Sequence, residues 1–212
     1  GNRRSPADPR EHNALSLSVS RVTNDSTQTI RSFRTIECAA GKDRRVSHST
    51  LVSLRCSQCQ ETLDADALWS TCPTCGGVLL ATYDLDRARR TFRPDVVHGR
   101  PWNLWRYAEL LPVRDPAYRL TLGEGGTPLL AAPRLARELG LQKLWLKDES
   151  RNPTGSFKAR GLAVAVSRAV ELGARAVALP SAGNAAAALS AYAARAGVPA
   201  YVFVPADTPP TI

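Results

Sequence analysis

Methionine is absent from all 212 residues, position 1 included. A chain opening on glycine is expected to have been processed or to be a piece of something longer. Lysine is nearly as scarce. Lys42, Lys143, Lys147 and Lys158 are the only four, so the 28 basic side chains are mostly arginine. No apolar run approaches the ~20 residues of a membrane-spanning helix, because Arg168, Arg175 and Arg195 interrupt the alanine-rich second half. The first residues also lack the charged-then-apolar pattern of a secretory signal. These absences set the expectation of a soluble, cytoplasmic protein with no membrane partner.

What is present bounds the class further. At 43% hydrophobic, the chain can bury a core, which excludes wholesale disorder. The formal charge of +9 is compatible with nucleic acid, a membrane surface or anionic small substrates. Arginine-rich coding alone would also produce it.

Along the chain, residues 1–50 are rich in Ser, Thr, Arg and Asn without a sustained helical or strand period, and read as a flexible leader in which Cys38 stands alone. Residues 51–83 are dominated by cysteine pairs. Residues 84–118 mix charge with Trp102, Trp105 and Tyr107 and read as a connector with short helices. From 119 to 212 the pattern becomes strand, loop, helix. Strands are expected at 143–148, 175–180 and 200–205, with helices from about Ser156 to Leu172 and over 184–197. That alternation implies an α/β fold with a parallel sheet covered by helices, preceded by a small ribbon. A sheet of three or four strands leaves helix faces uncovered, so the 119–212 unit is expected to be the first part of a larger, truncated domain.

"CSQC" and "CPTCGG" place Cys56, Cys59, Cys72 and Cys75 as two CxxC pairs. Each such turn aims two thiolates at one centre, and four thiolates satisfy tetrahedral Zn²⁺. Disulfides and an iron centre are the alternatives; the former are disfavoured in a reducing compartment. A closed four-cysteine site leaves no open coordination position, so it folds a loop and does no chemistry. Zinc ribbons also occur in nucleic-acid-binding modules, the rival reading. Against it, the ribbon offers only Arg55 for phosphate neutralisation.

Lys158, in "NPTGSFKARG", falls on the first turn of a helix that is otherwise mostly Ala, Val and Leu. Thr154 or Ser156 can cap that helix. The helix dipole and partial burial favour a neutral amine, and a neutral amine attacks carbonyls. A snorkelling surface lysine is the plain alternative. In the next strand–helix unit, "SAGNAA" puts Ser181, Gly183 and Asn184 at the equivalent strand end, where α/β sheets gather ligands. Its free amides suit a carboxylate and its Asn suits a hydroxyl or phenolate oxygen. The glycine and alanines could equally serve close helix packing.

"TLGEGGTPL" (121–129), "LWLKDESRNPTGSFKARG" (144–161) and "LPSAGNAAAAL" (179–189) together resemble the tryptophan-synthase-β-like, or fold type II, family of pyridoxal phosphate (PLP) enzymes. The cysteine ribbon, "YDLD" (83–86) and "LWRYAELLP" (104–112) narrow the resemblance to the threonine synthases, from about residue 51 onward. The resemblance implies that Lys158 holds PLP as a Schiff base and moves protons, that Asn184 bonds the 3′-oxygen of the cofactor ring, and that Phe157 packs beside it. It implies that Ser181, Ala182, Gly183, Asn184 and Ala185 grip the substrate carboxylate. The reaction implied is loss of phosphate from O-phosphohomoserine followed by water addition, giving threonine. The implied partners are that phosphorylated amino acid and, at full length, a second copy as a homodimer, with no nucleic acid. Ala159 stands where many relatives have Asp, so a threonine or serine dehydratase, or another β-replacement enzyme, stays open. The family's phosphate-binding glycine loop and its pyridine-nitrogen partner are expected beyond residue 212, so this stretch alone is expected to bind PLP poorly.

Overall fold

The computed structural model describes residues 17–20, as backbone, and 49–209. Most of the expected leader, Cys38 included, lies outside the described residues. Within it, β1 (Leu17–Ser20) pairs antiparallel with a late strand, which the sequence pattern did not suggest.

The cysteine region is a three-stranded antiparallel sheet in the order β3-β2-β4, built from β2 (Leu51–Cys56), β3 (Thr62–Asp64) and β4 (Leu79–Tyr83). Short helices α1 (Leu85–Thr91) and α2 (Pro94–His98) follow, as the connector pattern implied. Asp84 caps α1 by accepting the Arg87 amide, and Pro94 opens α2, where the missing N–H costs nothing. Two 3₁₀ segments, Leu104–Leu110 and Pro116–Tyr118, complete the connector. It is pinned from below: Thr50 donates its amide and hydroxyl to the Glu109 carbonyl, each at 2.9 Å. The fully buried Glu109 carboxylate takes a two-pronged bond from Arg100 at 2.7 and 2.5 Å. Of the connector aromatics, Trp105 is buried, whereas Trp102 stays exposed and carries the Arg106 guanidinium 3.9 Å from its ring centroid.

The remaining elements are β5 (Leu129–Ala131), α3 (Pro133–Glu138), β6 (Trp145–Lys147), α4 (Lys158–Glu171), β7 (Val177–Pro180), α5 (Asn184–Ala196) and β8 (Ala200–Pro205). β7 and β8 run parallel through the α5 crossover. The strand at 143–148 corrects the expectation: it is shortened to β6 and pairs antiparallel with β5 in a separate two-stranded sheet. Apolar run and flanking turns identify a strand but carry no information about its partner. The Asp148 amide bonding the Pro128 carbonyl at 3.0 Å holds β6 to the start of β5.

The core lies between α4 and α5. Ala159, Ala163 and Val166 of α4 recur at helical spacing and meet Leu189 and Tyr192 of α5, with Leu104 closing one side. Alanine at so many of these positions lets the helix axes approach closely.

The cysteine sheet is held to this core by charge. Arg168, near the end of α4, bonds Asp66 at 2.5 Å and the Ala65 carbonyl at 2.8 Å, while Arg114 reaches the same carboxylate at 2.7 Å. Glu171 accepts the Arg114 and Asp115 amides at 2.9 and 2.6 Å. Burial works against the Asp66 carboxylate, but the two guanidiniums outweigh it and hold it below its ordinary range. Because Asp66 is half exposed, solvent screening limits the pair. Asp66→Asn is expected to lower unfolding free energy by about 1 kcal/mol in urea titrations, and by clearly less once Arg168 is already Gln. Equal losses in both backgrounds would show that the two side chains are not coupled.

Candidate functional site

Two turns, 121–128 and 148–157, meet at the start of α4. Their meeting point is Glu149. Its carboxylate receives Arg160 Nε at 2.7 Å and Nη2 at 2.8 Å, the Thr127 hydroxyl at 2.7 Å and Asn152 Nδ2 at 3.0 Å. Asn152 in turn accepts the Gly125 amide at 3.1 Å, and Lys147 Nζ donates to the Thr127 carbonyl. Arg160 first, against the opposing effect of burial, and then Thr127 and Asn152 draw the Glu149 carboxyl down to about 2. Gly125 must be glycine: its φ is +90°, and a Cβ would lie 2.7 Å from the Leu104 nitrogen.

This network delivers Lys158 to the first turn of α4, half-buried, with Nζ 4.5 Å from the Phe157 ring centroid. Phe157 itself is exposed. The helix begins two residues later than expected. Its cap residue is Phe157, with no side-chain cap bond, so neither expected residue caps it: Ser156 only accepts the Lys158 amide at 3.3 Å, and Thr154 Oγ1 is buried and has no partner.

At the end of β7, Ser181 is anchored by its amide to the Phe203 carbonyl at 3.0 Å and accepts the Gly183 amide at 3.2 Å. Asn184 opens α5 with an exposed side chain, and no side chain caps this helix. Its first amides therefore lack intrahelical acceptors and point a positive dipole end at whatever sits before them. Ser181, Ala182 and Ala185 are half-buried and Gly183 is exposed. Lys158 and the 181–185 turn thus stand at the starts of two helices packed side by side.

Sequence patterning missed Glu149, Arg160, Thr127 and Asn152. The signal was opposite charges at 149 and 160 flanking the lysine turn. Their spacing spans a turn and a helix start, so no helical or strand period picks them out.

The second site is the cysteine cluster. Cys56, Cys59, Cys72 and Cys75 come together as expected, their sulfurs all within 4.8 Å of one another, with Cys56 to Cys75 at 3.4 Å and Cys59 to Cys72 at 3.6 Å. Tetrahedral bonds of 2.3 Å would separate sulfurs by about 3.8 Å, so the set fits a metal of that size. Gly77 makes the close approach possible, because a Cβ there would sit 2.9 Å from Cys56 Sγ. Burial opposes ionisation of Cys56, yet the Gln58 and Cys59 amides and the Cys75 thiol bring it down to about 6, while burial pushes Cys72 up.

Among the described residues no helix is long and apolar enough to cross a membrane.

Residues 120–212 match the family model described as pyridoxal-phosphate dependent enzyme. The chain is similar to the threonine synthase of Methanocaldococcus jannaschii, 44% identical over 151 residues, which is 71% of this chain and 37% of that protein. It is also similar to the threonine synthase of Methanosarcina acetivorans, 43% identical over 154 residues, 72% of this chain and 37% of that protein. Against the threonine synthase of Mycobacterium leprae, identity is 49% over 108 residues, covering 50% of this chain and 30% of that protein. The matches therefore span only 30–37% of the length of these curated relatives.

Replacing Glu149 tests the network. A carboxyl lowered from 4.5 to about 2 stabilises the fold above its unfolded value, and that stability is lost as pH falls through the folded value. Glu149→Gln is expected to cost about 2 kcal/mol at pH 7 and to flatten the acid limb of a stability–pH curve between pH about 4.5 and 2. An unchanged acid limb would contradict the assignment.

Proposed function

We propose, from the match of residues 120–212 to the family described as pyridoxal-phosphate dependent enzyme, that the chain carries the catalytic lysine of a threonine synthase. The observation supporting this reading most directly is Lys158 on the first turn of α4, two residues before the Arg160 that bonds Glu149.

The residues present fit the lysine side of a PLP site. Lys158 would hold the cofactor, Asn184 Nδ2 would donate to its ring oxygen, and Phe157 would cover one flank. Thr154 Oγ1, buried without a partner in the turn before α4, leaves one further polar atom free there. Bound there, PLP supplies the electron sink for carbanion chemistry. Everything else falls to the protein. The 181–185 turn would hold the substrate carboxylate through the amides of Ala182, Asn184 and Ala185, with the Ser181 and Gly183 amides already given to the Phe203 carbonyl and the Ser181 hydroxyl and the α5 dipole favouring negative charge. Lys158 Nζ would then take a proton from the substrate carbon and return it elsewhere, its reach set by the first turn of α4. With O-phosphohomoserine as substrate, these transfers release inorganic phosphate and add water to give threonine. A homodimer is the proposed working form, and a cytoplasmic setting follows the same reading.

The cysteine cluster would bind one structural Zn²⁺ and hold the ribbon through which Asp66 meets Arg168. One zinc per chain by elemental analysis is expected. Cys72→Ser should lose it and expose 51–83 to proteolysis. A protein that stays metal-free and protease-resistant in that region would overturn the zinc assignment.

The functional test compares two assays on the natural full-length protein. Phosphate release from O-phosphohomoserine is expected and should fall at least ~1,000-fold in Lys158→Ala. Ammonia and ketoacid release from threonine, with no phosphate release, would identify a dehydratase instead.

A further inference from the structure

Glu124 is a fully buried carboxylate with a lopsided environment. Its Oε2 accepts the Tyr192 hydroxyl at 2.6 Å, the Leu122 amide at 3.0 Å and the Thr121 hydroxyl at 3.2 Å. Its Oε1 is buried with no hydrogen-bond partner. An acid satisfied on one side only is a poor stability device, since an apolar residue of similar size would avoid the desolvation. What the group does have is a defined position. Tyr192 is fully buried in the third turn of α5 and packs in the same cluster as Ala159 and Ala163, from the first two turns of α4. The backbone around Glu124 is equally fixed: its carbonyl accepts the Leu104 amide at 2.9 Å, the next amide goes to Asn152, and the Gly126 carbonyl accepts Trp102 Nε1 at 3.1 Å. Three residues after Glu124, Thr127 joins Glu149 and Arg160. One short loop thus grips α4 through Arg160 and α5 through Tyr192.

We propose that Glu124 and Tyr192 are positioning residues for the reaction at Lys158, an inference that rests on the functional reading above. Their bond sets how the first turn of α5, with its anion-accepting loop, stands against the first turn of α4, with its amine. Both side chains are fully buried and act through the helices they hold. The alanine contacts between α4 and α5 are smooth and tolerate sliding. A hydrogen bond onto a carboxylate in a dry interior is strong and directional, and resists it. Without it the apolar cluster still packs the helices, but the spacing between amine and loop relaxes, and displacements near 1 Å can cost about 100-fold in rate.

The test uses Tyr192→Phe, Glu124→Gln and the double variant of the full-length protein with its cofactor bound. Borohydride fixes the cofactor, peptide mass mapping counts it on Lys158, and turnover is expressed per fixed cofactor. Each single variant is expected to lose about tenfold or more in that ratio, with the double variant no slower than the slower single one. Tyr192→Phe removes one hydroxyl and keeps the packing, so it decides the matter if Glu124→Gln fails to accumulate. Unchanged turnover per fixed cofactor, with only thermal stability or the amount of cofactor lowered, would reduce the pair to a structural role and overturn the proposal. A wild-type control carrying no cofactor on Lys158 would overturn the functional reading, and this inference with it.

Discussion

Glu149 and Arg160 hold together the parts of the chain that would otherwise have no reason to meet. The two-stranded β5–β6 sheet is exposed along its length and would be marginal alone. The 121–128 and 148–157 turns are rich in glycine, proline and small polar residues, with little apolar area to bury. A carboxylate that binds one guanidinium twice, and also a threonine and an asparagine from two different turns, supplies the order that packing cannot. Lys158 sits at a fixed place because its neighbour two residues on is fixed.

Arginine carries the assembly at each junction. Arg160 joins the turns to α4, Arg168 and Arg114 join the ribbon to α4, and Arg100 secures the connector on Glu109. Planar guanidiniums that bond two acceptors at once suit this task, whereas a lysine would offer a single point charge. Four arginines are thus paired with carboxylates at these junctions. The ribbon's Asp66 is the group by which the ribbon is attached to α4.

The four cysteines, the strand–helix–strand run from β7 to β8, and the placing of Lys158 and Asn184 at helix starts were legible in the sequence because each rests on local spacing. Two things were not. The partner of β6 depends on which distant strand lies beside it, and a short apolar run reads the same in parallel and antiparallel pairing. The bonds that tie the Glu149 and Glu124 networks to the helices, from Arg160 and Tyr192, join residues 11 and 68 positions apart, beyond any periodicity. Within the alanine-rich α5, the hydroxyl's bond to a buried acid is what distinguishes Tyr192.

That Lys158 is the amine which meets the cofactor is the claim on which the functional reading turns, and the scarcity of lysine makes it directly measurable. The full-length protein, incubated with PLP and reduced with borohydride, can be digested and the modified fraction read at every lysine, Lys42, Lys143, Lys147 and Lys158 among them. Modification concentrated on Lys158 at substoichiometric PLP is the predicted result. Modification spread over the lysines, or centred on the exposed Lys143, would contradict it.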